Sequence, residues 1–209
     1  GLLAVLSSFF LKDKNTDKQS LKVKTPFFSF LKYWKLSSPE YRKVVIGLLI
    51  FTLFNSSDVF LLLQAKQAGL NDTMVIGVYI FYNLIYALFA FPLGILADKV
   101  GLKTIFIIGL ALFAIVYFGM SMNTNLYFFF GLFFLYGIYA SATEGISKAW
   151  ISNITHKKDT ATAIGTFTGL QSICTMIASS LTGFIWFWLG AKIAFLMTAF
   201  VTLIVMVYF

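Results

Sequence analysis

Uncharged apolar runs recur along this chain at residues 44–65, 74–97, 104–122, 125–148, 160–188 and 191–209. Each is near the roughly 20 residues with which an α-helix crosses about 30 Å of hydrocarbon. A helix pairs its own backbone N–H and C=O groups, so six such runs predict an all-α, polytopic membrane protein. Composition agrees, with 59% hydrophobic and 19% aromatic residues, 11% charged residues and a mean hydropathy of +0.87. Residues 1–11, GLLAVLSSFFL, read as the end of a preceding span. The chain opens on Gly and stops inside an apolar run at Tyr208-Phe209, so a fragment is expected, and its start lacks the charged segment and cleavage site of a signal peptide.

Residues 12–43 form a basic loop, with Lys12, Lys14, Lys18, Lys22, Lys24, Lys32, Lys35, Arg42 and Lys43 against Asp13, Asp17 and Glu40. Within it FFSFLKYWKL mixes aromatics with lysines, which suits a short helix in the headgroup region, although a disordered tether has the same composition. If this loop is cytoplasmic, alternation places Lys99, Lys103, Lys157 and Lys158 on the same side. Only Lys66 and Lys192 then lie at external ends, as the positive-inside rule requires. The net charge of +8 sits mostly on these membrane-flanking loops, where anionic lipid is the natural partner; nucleic acid is not expected. Trp34, Trp150, Trp186 and Trp188 fall near the span ends, as an aromatic belt does.

The connection after the second run, FPLGILADKVGLKT at 91–104, places Gly94, Asp98, Lys99, Gly101 and Lys103 at G-x-x-x-D-K-x-G-x-K spacing. It resembles the signature that follows the second helix of each half of the major facilitator superfamily of transporters. The resemblance implies a C-terminal six-helix half-bundle, residues 44–209, made of two inverted three-helix repeats, with the 94–103 loop as a conformational latch. It further implies an N-terminal six-helix half of the same polypeptide, a small-molecule substrate and bacterial inner (plasma) membrane placement. No cofactor or metal is implied, the energy source being a proton gradient or a counter-substrate gradient. Physically, Gly94 suits close helix approach, Gly101 a tight turn, and Asp98 a nearby helix N-terminus. In each set of three spans the third, 104–122 and 191–209, has no ionisable residue except Lys192, and both are expected to face lipid.

Acids inside the spans carry the functional expectation, because an ionised group in hydrocarbon needs water, a cation or a proton. Asp58, in FNSSDVF, falls about 14 residues into the first helix, with Asn55 one turn back on the same face. It is read as a proton-coupling or substrate group, or alternatively as a structural cap or interhelical hydrogen bond. Glu144 and Lys148 are four apart, suited either to a structural ion pair or to gating and substrate contact, and share a face with Tyr136, Gly137, Ala140 and Ser147. Tyr79, Tyr82, Asn83 and Tyr86 form a polar stripe on the second helix; Thr168, Gln171, Ser172, Thr175, Ser179 and Thr182 form one on the fifth. Both stripes are candidate cavity walls, and close packing would use the same residues.

Pro92 predicts a bend before the signature. Asp159 and Thr160 read as a helix start, His156 as a solvated loop residue and Cys174 as a small buried hydrophobe. A membrane-embedded enzyme, or a receptor on a transporter-like scaffold, is the alternative class. One histidine, placed in a loop, leaves no nucleophile–base or metal constellation to support catalysis.

Overall fold

A computed structural model describes residues 29–122 and 126–209. The expected span end at 1–11 and the loop up to residue 28 lie outside them. The described residues form helices α1 (Ser29–Leu36), α2 (Pro39–Phe54), α3 (Val59–Gln67), α4 (Asp72–Val100), α5 (Leu102–Met122), α6 (Leu126–Asn153), α7 (Thr160–Leu189) and α8 (Ala191–Tyr208). Together they give six segments long and apolar enough to cross a membrane, α2 and α3 counting as one.

Local chemistry sets the helix ends. Ser38 Oγ accepts the Tyr41 N–H at 3.1 Å ahead of Pro39 at the first helical turn, and Asn71 Oδ1 accepts the Met74 N–H at 2.8 Å. Asp159 precedes α7 as expected, without a side-chain capping bond. The second and third helices of each set of three are joined in the same way. Gly101, at φ +101°, donates to Ala97 O at 2.9 Å, and Gly190, at φ +85°, donates to Trp186 O at 3.0 Å. Both conformations favour glycine, and their recurrence is the structural trace of a three-helix repeat. Helix α4 runs without interruption through Pro92.

The first span departs from expectation. It is two helices, not one, broken at Asn55-Ser56-Ser57, so Asn55 and Asp58 do not share a helical face; Asn55 caps the end of α2 and Asp58 the start of α3. Asn and Ser side chains compete with the helix for backbone groups, and four polar residues in a row end it here. Ser57 Oγ accepts the Val59 N–H at 3.4 Å, a local turn bond in place of a helical one.

Helix α6 is the spine of the bundle, packed on α4 and α5, with α5 in turn against α8 and α2 against α7 and α8. Its glycine and alanine positions allow this. A Cβ on Gly137 would meet the Tyr82 carbonyl oxygen at 2.7 Å and Ile85 Cβ at 2.8 Å. Between the helices lies an aromatic core in which Phe113 sits 4.2 Å from Tyr117, 4.6 Å from Tyr139 and 5.1 Å from Phe51, ring centre to ring centre.

The two third helices are not simply lipid-facing. Helix α5 buries Ile105, Phe106, Leu110, Phe113, Val116, Tyr117 and Met120, and α8 buries Phe195, Thr198, Ala199 and Thr202; only their other faces, with Ile115, Phe118, Phe200 and Leu203, are exposed. Lack of charge permits contact with lipid but does not impose it, and Gly109 and Gly119 let α5 press against Ala142, Thr143 and Leu132. The least buried helices are instead α4 and α7.

Gly137→Ala is expected to push α4 off α6 because the obstructing atom is a backbone carbonyl. Overpacking of this kind costs about 1–3 kcal/mol, and a lowered melting temperature of the detergent-purified full-length protein checks it.

Candidate functional site

The break between α2 and α3 positions the central group. Asp58 is half-buried and both carboxylate oxygens accept phenol hydrogen bonds, Tyr82 donating to Oδ2 at 2.6 Å and Tyr136 to Oδ1 at 2.5 Å. The two tyrosines come from α4 and α6, are 4% and 3% exposed, and meet edge to face at 5.4 Å, so three spans converge on one acid. Among the described residues no lysine or arginine pairs with it, and the one ion pair is Lys66–Asp72, at 2.6 Å and solvent-exposed. Asp58 stands at the N-terminal end of α3, where the helix dipole favours negative charge. Two charge-assisted hydrogen bonds and a dipole thus replace a counter-cation.

Around this acid the break is tied to α6 and α5 by further hydroxyls. Asn55 Nδ2 donates to the Tyr139 hydroxyl at 2.9 Å, and Ser56 Oγ lies 3.4 Å from the Tyr117 hydroxyl. A cavity of about 180 Å³ opens here, lined by Thr52, Asn55, Asp58, Tyr136, Tyr139, Thr143, Glu144, Ser147, Lys148 and Gln171 with Leu48, Phe51, Phe106 and Phe167 as its apolar wall. Asp58, Asn55, Tyr136, Glu144, Lys148 and Gln171 therefore border one space. Tyr139 and Tyr82 were the partners not singled out as site residues; Tyr82 lay on the recognised stripe of α4, and Tyr139 is one turn from Tyr136.

Other expectations separate. Glu144 and Lys148 are exposed to the cavity and are not ion-paired; the Glu144 carboxylate interacts with the Tyr86 hydroxyl across the α4–α6 boundary. Eight residues of α6 separate Tyr136 from Glu144, about 12 Å along the axis, so the two acids occupy different levels of the same wall. Tyr79, Asn83 and Thr175 do not line this cavity: Tyr79 packs edge-on to Tyr82, Asn83 Nδ2 donates to the Tyr79 carbonyl at 2.8 Å, and Thr175 is exposed on α7. Thr168, Ser172 and Thr175 are polar and exposed together on α7, a face unsuited to lipid.

The signature loop is also partly revised. Gly101 takes the positive φ that its turn needs. Gly94, however, has no atom within 4 Å of where a Cβ would stand, so the close approach expected of it is not made among the described helices. It lies with Tyr86, Asp98, Ser141, Gly145 and Ala149 on an open groove between α4 and α6. Asp98 has no hydrogen-bond or ion-pair partner among the described residues, and Lys99 and Lys103 are exposed. On the same side of the bundle α1 is docked rather than free. Tyr33 and Trp34 pack edge-on to Tyr41 at 5.4 and 6.3 Å, and the Tyr41 hydroxyl donates to Ala163 O on α7 at 2.8 Å. Burial raises the Tyr33 phenol above its ordinary pKa, against a hydrogen bond with Thr155 that lowers it.

The family model described as Major Facilitator Superfamily matches residues 44–209, which take in the six spanning segments found among the described residues apart from the first turn of α2. The chain belongs to this superfamily. Over 192 residues it is also 30% identical to an uncharacterized MFS-type transporter of Methanocaldococcus jannaschii, an alignment covering 89% of this chain and 47% of the relative. The chain thus spans about half the length of that relative. Membership makes it a multi-pass membrane protein of a transporter family, not of an enzyme family. In that setting the converging Asp58, Tyr82 and Tyr136 are the polar centre of the six-helix bundle.

Tyr136→Phe and Tyr82→Phe should each lower stability by about 1.5–3 kcal/mol, the worth of a hydrogen bond to a charged group. In a double-mutant cycle with Asp58→Ala, unfolding of the full-length protein should show most of that loss vanishing. Strict additivity would mean the phenols stabilise the bundle by packing alone. Gly101→Ala, strained at φ +101°, should cost about 1–2 kcal/mol in the same measurement.

Proposed function

We propose that this chain is the C-terminal half of a secondary active transporter that moves a small solute across the plasma membrane by alternating access, driven by a proton gradient. The observation that carries the reading is Asp58, a carboxylate within a spanning segment, held by two phenols without a cation and bordering a polar cavity. An acid so placed can change its charge by gaining or losing a proton as the cavity opens to either side, which is what coupling requires. When Asp58 is neutral, the charge that the dipole and phenols oppose is gone, and the contacts among α3, α4 and α6 weaken together. Binding of solute and proton then bias one set of helix contacts.

The exposed polar face of α7 and the open α4 groove support a pathway between this bundle and a second one, the N-terminal half. Glu144, Lys148 and Gln171 are proposed to contact solute from the cavity wall. The 94–103 loop is proposed as the latch: Asp98, free of partners among the described residues, has its acceptors available for the second bundle. Lys99 and Lys103 face lipid headgroups.

The test uses the full-length transporter in proteoliposomes offered a mixture of small solutes, with luminal contents read by mass spectrometry. An imposed pH gradient should concentrate at least one solute. Asp58→Asn should abolish that gradient dependence while the protein still folds and melts cooperatively. Gradient-driven accumulation undiminished in Asp58→Asn removes Asp58 from coupling, and no accumulation of any solute by the unmodified protein counts against transport.

A further inference from the structure

The break between α2 and α3 leaves more oxygen acceptors than the surrounding protein uses. Among the described residues, no backbone N–H or side chain donates to the carbonyls of Leu53, Phe54, Asn55 or Ser56. Asn55 Oδ1 is sealed from solvent and likewise has no partner, its Nδ2 being committed to Tyr139. These groups sit at the C-terminal end of α2, where the helix dipole concentrates negative charge. Within three residues stands Asp58, whose side-chain donors among the described residues are two phenol hydroxyls, with Lys148 elsewhere on the same cavity wall.

Unpaired backbone inside a spanning segment is tolerated where it lines a cavity or a ligand. Here Asn55 and Asp58 border a small cavity of about 180 Å³ whose apolar wall includes Phe51, Phe106 and Phe167. A neutral donor satisfies one such oxygen at a time. A cation satisfies several at once and balances the carboxylate. The set comprises amide, carbonyl and carboxylate oxygens, without sulfur or imidazole: hard ligands, suited to an alkali cation or an ammonium group rather than to a transition metal. Unwound carbonyls at a half-helix C-terminus serve alkali cations in other broken-helix carriers.

We infer that the helix break forms a binding site for a monovalent cation, made by Asn55 Oδ1 and the freed carbonyls beside Asp58. Two sources share this chemistry, an inorganic Na⁺ ion and the ammonium head of a solute. The inference rests on the proposed coupling role of Asp58 only for charge balance. Equilibrium binding requires no transport, so its failure and the failure of the gradient experiment are separable.

The experiment measures radiolabelled Na⁺ binding to the purified full-length transporter at constant ionic strength set with choline chloride, with methylammonium as competitor. Saturable binding is expected, weakened at least tenfold by Asn55→Ala and unaffected by Asn83→Ala, which lies off the cavity. Asn55→Asp, which keeps the oxygen and adds charge, should bind more tightly, so the site stays testable if the alanine variant is unstable. Displacement of Na⁺ by methylammonium in an Asn55-dependent manner assigns the site to a solute's cationic head as well; Na⁺ binding that methylammonium leaves intact assigns it to the inorganic ion. Absence of saturable binding of either cation, or binding indifferent to both Asn55 variants, overturns the inference.

Discussion

A carboxyl group inside a membrane-spanning segment is the constraint around which this bundle is organised. Asp58 is stable there because three things meet it: the start of a half-helix, whose dipole favours negative charge, and two phenol hydroxyls from different helices. Remove the break and the dipole is no longer directed at the acid. Separate α4 from α6 and one phenol is lost. The polar centre and the helix packing are therefore one device, and any change in the charge of Asp58 is felt by three spans.

Helix α6 makes that coupling mechanical. It presents Tyr136 to Asp58, Tyr139 to Asn55, Gly137 to the backbone of α4, and Glu144 to Tyr86. Small residues bring the backbones close enough for phenols to reach across, and the tyrosines then fill the gap that small residues leave. The result is a tightly packed wall on one side of the cavity, while α4 and α7 keep exposed surfaces on which polar stripes and large apolar side chains alternate. The groove at Gly94 and Asp98 belongs to this unsatisfied surface: its glycine touches nothing within the described bundle, consistent with a use outside it.

Much of the fold was legible because hydrocarbon allows so few alternatives. Six apolar runs of spanning length become helices since no other local structure pairs the backbone, and Gly101 and Asp98 stood at the spacing that carried the resemblance to the family. The acids stood out for the same reason: charge at depth is rare and needs a partner. Less legible was the helix break. Its signal, Asn-Ser-Ser-Asp, was present as four consecutive residues that favour caps over helix interiors, but the apolar run around them argued for continuity. The lipid-facing reading of residues 104–122 and 191–209 failed differently. Uniform apolarity carries no information on which face meets lipid and which meets Phe51 or Tyr139, because both are equally apolar surroundings.

The sequence by itself determined that residues 44–209 hold six segments able to cross a membrane, that the chain belongs with transporters, and that Asp58 and Glu144 require special surroundings; each follows from hydropathy, length and motif, which are local properties of the chain. Only the tertiary structure decided who those surroundings are. Tyr82 and Tyr136 lie 24 and 78 residues from Asp58, and Tyr139 lies 84 residues from Asn55. Which of ten tyrosines reaches the acid depends on helix rotation and on the few close approaches that Gly137 and Gly109 permit. Those are properties of packing between helices, and periodicity within one helix does not encode them.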